Sequence, residues 1–244
     1  MSHLKGKEKV RQLGFQEMDV VSMLTPLTKY CVTLNDPLRI RYELEKMLYM
    51  AVSGRKGPVV LNLPDDLQRA EIDPNQLEGF DPEISEFNPE NIEAGLTQTI
   101  AFIKNAERPL VIIGAGVKFG NAQNLMLQFL QKTGIPYVGT WATLDMFTES
   151  SENYIGNFGV SGNRPGNYAI QTADVIISFG SRLDTHEAGN NPDAFAPNAK
   201  IISIDLDKYE LEKTRGVRLD EKINCDVKVV LEKLNQREIP IKNL

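Results

Sequence analysis

Apolar and polar residues follow one another along the chain in blocks that predict strands alternating with helices. From residue 88 onward, short continuous apolar runs are typical of strands buried on both faces of a parallel sheet. These runs lie between Arg108 and Gly114, over Ile135–Trp141, over Val175–Gly180 and over Lys200–Asp205. The segments between them have helical spacing, starting at Asn88-Pro89 (apolar stripe Ile92, Leu96, Ile100, Ile103), Asn121 (Leu125, Met126, Phe129, Leu130, ended by Gly134), Asn167 and Asp226. The pattern predicts a doubly wound parallel α/β domain.

The first third of the chain carries a shorter version of the same pattern. A strand over Tyr30–Leu34 precedes a helix that starts at Asp36-Pro37 and stops near Gly54, and a second strand follows over Pro58–Pro64. The apolar face of that helix is predicted to contain Ile40, Leu44, Met47 or Leu48, and Ala51. Strand, helix and strand form a parallel crossover unit, but two strands are too few for a domain. We therefore expect part of Met1–Gln68 to be disordered, rearranged or paired with another copy.

Residues 73–90 differ in composition from both neighbours. They contain three prolines and many acidic residues but neither lysine nor arginine, which favours an interdomain linker, with an ordered acidic loop as the alternative. The predicted organisation is an incomplete βαβ segment at 1–72, a linker at 73–90, a doubly wound α/β domain at 91–236 and a tail at 237–244.

Composition narrows the classes of partner. The 244 residues are 41% hydrophobic and 25% charged, as in globular proteins, and the net charge of -6 disfavours nucleic acid or an anionic membrane as the main partner. No apolar run approaches the ~20 residues of a membrane span, and the first residues lack a signal-peptide core. The two cysteines and two histidines predict a cytoplasmic protein without a structural metal site.

The ends of the predicted strands carry residues suited to a nucleotide. Ligands of such sheets lie beyond the carboxyl ends of the strands. There the sequence has Gly114-Ala115-Gly116, Gly139-Thr140-Trp141-Ala142, Gly180-Ser181-Arg182-Leu183-Asp184 and Ile204-Asp205-Leu206-Asp207. Arg182 can bind phosphate through its planar group of donors, and Asp205 can accept hydrogen bonds from ribose. Alternatively, Arg182 pairs with Asp184 on the surface and Asp205 caps a helix.

A nicotinamide dehydrogenase is disfavoured by the position of the acidic residue. In that class an acid ends the strand that follows the glycine turn, about twenty residues further on. Here that strand ends in Val138-Gly139-Thr140-Trp141, and the acid appears only at a later strand, as Asp205.

At several places the chain resembles thiamine-diphosphate enzymes of the acetohydroxyacid (acetolactate) synthase branch. The N-terminal motifs are similar to the end of that family's pyrimidine-binding domain, and the later motifs to its central domain. The former are Gly14-Phe15-Gln16-Glu17, Leu27-Thr28-Lys29-Tyr30 and Ser53–Asp66; the latter are Ile113–Gly116, Gly159–Gly162, Gln171–Asp174, Phe179–Asp184 and Ile204–Asp207.

The resemblance implies a parent enzyme that decarboxylates a 2-oxo acid and transfers the acyl carbanion equivalent, with thiamine diphosphate and Mg²⁺ as cofactors and a homo-oligomeric assembly. It also implies FAD in the central domain, although related central domains hold ADP or nothing. The implied FAD positions are Arg55, Gly114, Ala115, Gly116, Thr140, Trp141, Ala142, Gly180, Ser181, Arg182, Asp184, Asp205, Leu206, Asp226 and Val227. Phe15 and Gln16 match positions near the substrate and are the catalytic candidates.

The sequence also departs from this family. Asp65 and His186 stand where the family often has a lysine and an arginine. The cofactor-activating glutamate and the Gly-Asp-Gly motif of the diphosphate-binding domain are absent from the 244 residues. We therefore expect a fragment that is inactive alone; a freestanding nucleotide-binding or regulatory module is the alternative.

Overall fold

A computed structural model describes residues 18–82, 88–147 and 151–242. The chain divides into two compact units, Met1–Ser85 and Glu86–Leu244. Each unit has its own sheet.

The first unit contains the predicted crossover. Its elements are α1 (Val20–Leu24), β1 (Tyr30–Thr33), α2 (Ile40–Val52) and β2 (Val59–Asn62), with 3₁₀ turns at Thr25–Leu27, Pro37–Arg39, Leu67–Arg69 and Pro74–Gln76. Strands β1 and β2 pair in parallel. Asp36 caps the turn before α2 by accepting a 2.9 Å hydrogen bond from the Leu38 N–H. Pro37 occupies the first turn, as predicted.

The predicted apolar face of α2 is only partly correct. Met47 is buried, whereas Leu44 and Leu48 are 45% and 69% exposed. Both faces of α2 carry apolar residues, and the helical period alone does not say which face a two-stranded sheet covers. Within the predicted linker, Pro74–Gln76 form a 3₁₀ turn and the Phe80 ring packs edge-on against Tyr42, 5.4 Å between centroids. The domain boundaries at 72 and 90 stay a prediction.

The second unit is the doubly wound α/β domain that the sequence predicts. Its strands are β3 (Pro109–Ile113), β4 (Tyr137–Gly139), β5 (Tyr154–Asn157), β6 (Val175–Phe179), β7 (Lys200–Asp205) and β8 (Glu221–Asn224). Its helices are α3 (Pro89–Asn105), α4 (Gly116–Phe119), α5 (Gln123–Thr133), α6 (Arg164–Thr172), α7 (Thr185–Ala188), α8 (Lys208–Glu212) and α9 (Val227–Asn235). Strands β5 and β8 were missed in the sequence, where both stand outside the long apolar runs.

The six strands form one parallel sheet in the order β5-β4-β3-β6-β7-β8. Side chains of successive residues point to opposite faces, so each strand contributes to two cores. Val111, Ile113 and Phe179 belong to the core that includes residues of α3, α5 and α9. Leu110, Ile112 and Ile176 belong to the core on the opposite face, which includes Ile170 of α6. Burial on both faces explains why the central strands are continuous apolar runs.

Candidate functional site

The carboxyl edge of the second sheet contains a topological switch point. From β3 the chain moves outward to β4 and β5, then returns to the other side of β3 and continues through β6, β7 and β8. Connections leave β3 and β6 in opposite directions, which opens a crevice between two neighbouring strand ends. Because all six strands are parallel, the predicted strand-end motifs after β3, β4, β6 and β7 lie along one edge.

Glycines allow the loops after β3 and β6 to touch backbone to backbone. The Gly116 N–H donates a 2.9 Å hydrogen bond to the Gly180 carbonyl. A Cβ on Gly114 would lie 2.3 Å from the Gly180 oxygen, and one on Gly116 would lie 2.7 Å from the Gly180 Cα. Gly180 also has a φ of 60°, which disfavours other residues. The glycines are therefore required for the loops to meet, whether or not a ligand lies over them.

The loop after β4 contains a buried hydroxyl group without a partner. Thr140 is 1% exposed, and its Oγ1 has no hydrogen-bond partner among the described residues. Its backbone is fixed by a 3.0 Å hydrogen bond from its N–H to the Ile113 carbonyl. The next residue, Trp141, is 59% exposed and lies edge-on to His186, 6.1 Å between ring centroids. A buried donor without a partner is uncommon and costs free energy unless something else binds it.

Arg182 already has carboxylate partners. Its Nε lies 2.7 Å from Glu210 Oε1, and its Nη1 lies 3.8 Å from Asp184 Oδ2. Lys213 Nζ lies 3.2 Å from the other oxygen of Glu210. The surface pairing with Asp184 considered from the sequence is thus present, but the shorter contact is with Glu210, a residue that the sequence did not suggest.

Asp205 faces the same side of the sheet as Arg182. Both line a small cavity whose volume of about 10 Å³ holds no more than about one water molecule. Asp205 Oδ1 accepts a 2.9 Å hydrogen bond from the Asp207 N–H, and Asp207 in turn caps α8. The cap of α8 is therefore Asp207 and not Asp205, as the alternative interpretation had it; Asp205 binds the backbone of the capping residue and remains at the edge beside Arg182.

The structure brings most other predicted residues to this edge and leaves some elsewhere. Asp226 caps α9 just after β8, and the Val227 side chain is buried in the core. Ala115, Ala142, Ser181 and Leu206 lie in the loops that follow β3, β4, β6 and β7. Arg55 is exposed in the first unit, so its role at the edge stays a prediction. Phe15 and Gln16 lie outside the described residues.

Glu187 is a partner of the β6 loop that the sequence did not suggest. Its carboxylate accepts a hydrogen bond from the hydroxyl of Ser181, which is 4% exposed. Burial raises the pKa of Glu187, the Ser181 hydrogen bond opposes that rise, and the nearby Asp184 adds to it. The residue lies six positions after Ser181, in α7, and only the turn of the loop brings the two together.

Residues 18–82, 88–147 and 151–242 contain neither a cluster of metal ligands nor a membrane-spanning helix. Over these ranges no group of three or more His, Cys, Asp or Glu side chains is arranged to hold a metal ion. Over the same ranges no helix is both long and apolar enough to cross a bilayer.

The strand order and the switch point define a doubly wound α/β domain of the kind that binds dinucleotides in other proteins. Residues 96–234 match the family model described as "Thiamine pyrophosphate enzyme, central domain". The chain therefore belongs to the thiamine pyrophosphate enzyme family, as its motifs suggested.

Similar proteins point to one branch of this family. The chain is 35% identical over 226 residues to the acetolactate synthase large subunit of Corynebacterium glutamicum, which covers 91% of the chain and 35% of the relative. It is 32% identical over 227 residues to the acetolactate synthase large subunit of Lactococcus lactis, covering 91% and 38%. For the probable acetolactate synthase large subunit of Methanocaldococcus jannaschii the values are 32% over 242 residues, covering 95% and 40%. The chain thus spans 35–40% of the length of these relatives.

Proposed function

We propose that the carboxyl edge of the second unit binds FAD or another adenine nucleotide, as part of an acetolactate synthase-like enzyme. The observation that carries this proposal is the buried, unpartnered Thr140 hydroxyl at the end of β4, next to the switch point. The hydroxyl has almost no accessible surface in this structure, so the loop after β4 would have to shift before a ligand oxygen or nitrogen could accept its hydrogen bond and remove the cost of that burial. Gly114, Gly116 and Gly180 let the loops after β3 and β6 touch at the same edge, so the strand-end residues of both loops lie beside the switch point.

The residues at the edge suit different parts of such a ligand. Exposed Trp141 offers a flat apolar surface on which a flavin or adenine ring can stack. Asp205 can accept hydrogen bonds from ribose hydroxyls. Arg182 would have to share its donors between the ligand and Glu210. Trp141, Asp205 and Arg182 are therefore compatible with the FAD positions that the family implies, and the flavin itself would supply redox or structural chemistry that these residues do not.

For the enzyme as a whole we propose a 2-oxo acid as substrate, with thiamine diphosphate and Mg²⁺ as cofactors. The support is the family match and the similarity to acetolactate synthase large subunits. The glutamate that activates thiamine diphosphate in this family and the Gly-Asp-Gly motif of its diphosphate-binding domain are missing from the sequence. We therefore propose that the 244 residues alone neither bind thiamine diphosphate nor catalyse carboligation. A homo-oligomeric cytoplasmic enzyme remains part of the proposal.

A nucleotide-binding or regulatory module without thiamine chemistry is a second candidate. It is favoured by the completeness of the second unit, whose six-stranded sheet has a buried core on each face. A domain with its own core can fold and bind a ligand without the rest of an enzyme. Tighter binding of ADP than of FAD by the chain would favour this candidate.

The test is a titration of the chain with FAD and ADP, using Thr140→Val as the informative variant. Trp141 is the single tryptophan of the sequence, so quenching of its emission reports binding at the edge. Valine keeps the shape of threonine but lacks the hydroxyl, so we expect about fivefold weaker FAD binding. The same change should raise the stability of the ligand-free protein by about 1 kcal/mol, because it removes an unpartnered buried group.

Thr97→Val is the matched control. The Thr97 hydroxyl donates to the Glu93 carbonyl on the exposed side of α3, away from the strand ends. We expect no change in FAD affinity. If the unmodified chain binds neither FAD nor ADP, the proposed function is wrong. If it binds FAD and Thr140→Val binds equally well, the Thr140 hydroxyl is not a ligand contact.

A further inference from the structure

The loop after β6 already holds an anion, and that anion belongs to the protein. The Ser181 hydroxyl donates to the Glu187 carboxylate; burial raises the pKa of this group, while the Ser181 hydrogen bond and the Leu183 backbone favour its charged form. The Leu183 N–H also lies 3.3 Å from Ser181 Oγ. A hydroxyl and a backbone N–H in a loop that follows a parallel strand are the donors that commonly bind phosphate. Here the hydroxyl donates to a side-chain carboxylate, and the N–H donates to that hydroxyl.

The backbone of this loop is shaped around Glu187. Leu183 has a φ of 44°, in the left-handed region that a leucine seldom adopts, and its side chain is 4% exposed. Asp184 begins α7 by accepting a 2.9 Å hydrogen bond from the His186 N–H. The turn and the cap together direct Glu187 back toward Ser181. The pairing therefore depends on a backbone conformation that is costly by itself and that the surrounding structure maintains.

The charge around the loop also opposes a phosphate group. Asp184, Glu187 and Glu210 face two cations, Arg182 and Lys213, and both cations contact Glu210. A phosphate placed on the loop would lie beside a carboxylate that is largely buried, where like charges repel with little screening. The Ser181 hydroxyl would also have to leave Glu187, which would then be largely buried without that hydrogen bond.

We propose that Glu187 is a specificity-determining residue that keeps phosphate groups off the loop after β6, so that this loop contacts an uncharged part of the ligand. The inference rests on the proposed nucleotide site. Among adenine ligands that differ in their phosphate groups, Glu187 lowers the preference for the more negative ones. Glu187 is not among the FAD positions that the family resemblance implies.

The test compares ADP with adenosine by isothermal titration of the 244-residue chain at constant salt concentration. In Glu187→Gln the amide oxygen can still accept from Ser181, but the charge is gone. We expect ADP to bind about five- to tenfold more tightly, because one nearby negative charge has been removed, with adenosine affinity unchanged. Glu187→Asp keeps the charge and should keep the ratio of the two affinities close to that of the unmodified chain. Glu232→Gln makes the same charge change at an exposed position of α9 and should leave both affinities unchanged.

Each outcome decides a different point. If the unmodified chain binds both ligands and Glu187→Gln leaves their affinity ratio unchanged, this inference is wrong and the nucleotide site stands. If no variant binds either ligand, the proposed function is wrong and the inference fails with it.

A second measurement needs no substitution and so does not depend on whether Glu187→Gln folds. Inorganic pyrophosphate, added at concentrations that compete with ADP, should leave the amide NMR resonances of Ser181 and Leu183 in place. A shift of the Leu183 amide would mean that phosphate reaches the loop, and would overturn the inference.

Discussion

In the first unit every residue of β1 and β2 keeps some exposure to solvent, whereas in the second unit every residue of β3 and β6 is buried. Both units are built from the same strand–helix–strand crossover. They differ in the number of strands. In the two-stranded sheet no strand has a neighbour on each side, whereas in the six-stranded sheet the four inner strands do. The comparison indicates that the crossover supplies connectivity, while the width of the sheet supplies the hydrophobic core.

The same difference appears in the helices that cover the sheets. α2 exposes Leu44, Leu48 and Val52, which are spaced four residues apart and form a stripe on the helix surface. α5 instead buries Met126, Phe129 and Leu130. α2 thus leaves an apolar stripe exposed in the described residues; the expected disorder, rearrangement or pairing of part of Met1–Gln68 stays a prediction.

The largest difference in stability loss between the two units should come from truncating one large apolar side chain in each. Phe129 is fully buried and its ring contacts Phe179, 5.5 Å between centroids. We expect Phe129→Ala to lower the free energy of unfolding of the second unit by about 4 kcal/mol, measured by urea denaturation with far-UV circular dichroism. Leu48→Ala, at a position 69% exposed, should change the stability of the first unit by no more than about 0.5 kcal/mol.

Of the two substitutions, Leu48→Ala is the more informative. Native-state hydrogen exchange of the β1 and β2 amides measures the stability of the first unit separately. A loss above about 1 kcal/mol there would mean that another surface covers the α2 stripe in solution, and the contrast between the units would then be smaller than the exposed areas suggest.

A smaller contrast is expected from two glycines with nearly the same backbone angle. Gly180 and Gly54 have φ values of 60° and 52°. A Cβ on Gly180 would lie 2.6 Å from the Gly116 Cα, whereas a Cβ on Gly54 would meet nothing within 4 Å. We expect Gly180→Ala to cost about 3 kcal/mol, from the left-handed conformation and the backbone clash together, and Gly54→Ala about 1 kcal/mol from the conformation alone.

Urea denaturation of the two alanine variants and the unmodified chain gives both values, with hydrogen exchange assigning each loss to its unit. Equal losses would show that the loop after β3 moves away from Gly180 without cost. The close contact at the switch point would then not be a constraint on the edge.

The central strands of the second unit could be predicted because each is a run of apolar residues. β5 and β8 could not, since each pairs on one side only and needs fewer buried positions: β8 buries Ile223 alone. In α2 the period indicated a helix but not its buried face, because apolar residues lie on more than one side. The sequence therefore predicts a strand best where tertiary burial is complete.

The candidate site divides in the same way. Strand-end glycines, Arg182 and Asp205 are recognisable because they follow apolar runs directly. Glu210 could not be assigned to Arg182, from which it is separated by 28 positions, since their contact depends on β7 pairing beside β6. The contact of Glu187 with Ser181 depends on the left-handed turn at Leu183, and no residue type in the loop predicts that turn.

The smallest contrast concerns one aspartate in each unit. Asp220 is 13% exposed, and accepts hydrogen bonds from Lys200 Nζ at 2.8 Å and from the Ile201 N–H at 3.1 Å. Asp65 pairs with Arg69 at 2.9 Å, but both side chains are more than three-quarters exposed. We expect Asp220→Asn to cost about 1 kcal/mol at neutral pH and Asp65→Asn about 0.3 kcal/mol or less, because solvent screens the exposed pair.

The pH dependence separates charge from packing at Asp220. Burial by itself would raise the pKa of Asp220, but the hydrogen bonds from Lys200 and the Ile201 N–H, with the charge of Arg218, hold it below the ordinary value of 3.8. A carboxylate whose pKa is lower in the folded state stabilises the protein above the unfolded value and loses that contribution as the pH falls through the folded one. The urea stabilities of Asp220→Asn and the unmodified chain should therefore converge below pH 3.8. A difference at Asp220 that persists in acid would mean that the side chain acts through its shape and its neutral hydrogen bonds, and the two aspartates would then differ in packing rather than in charge.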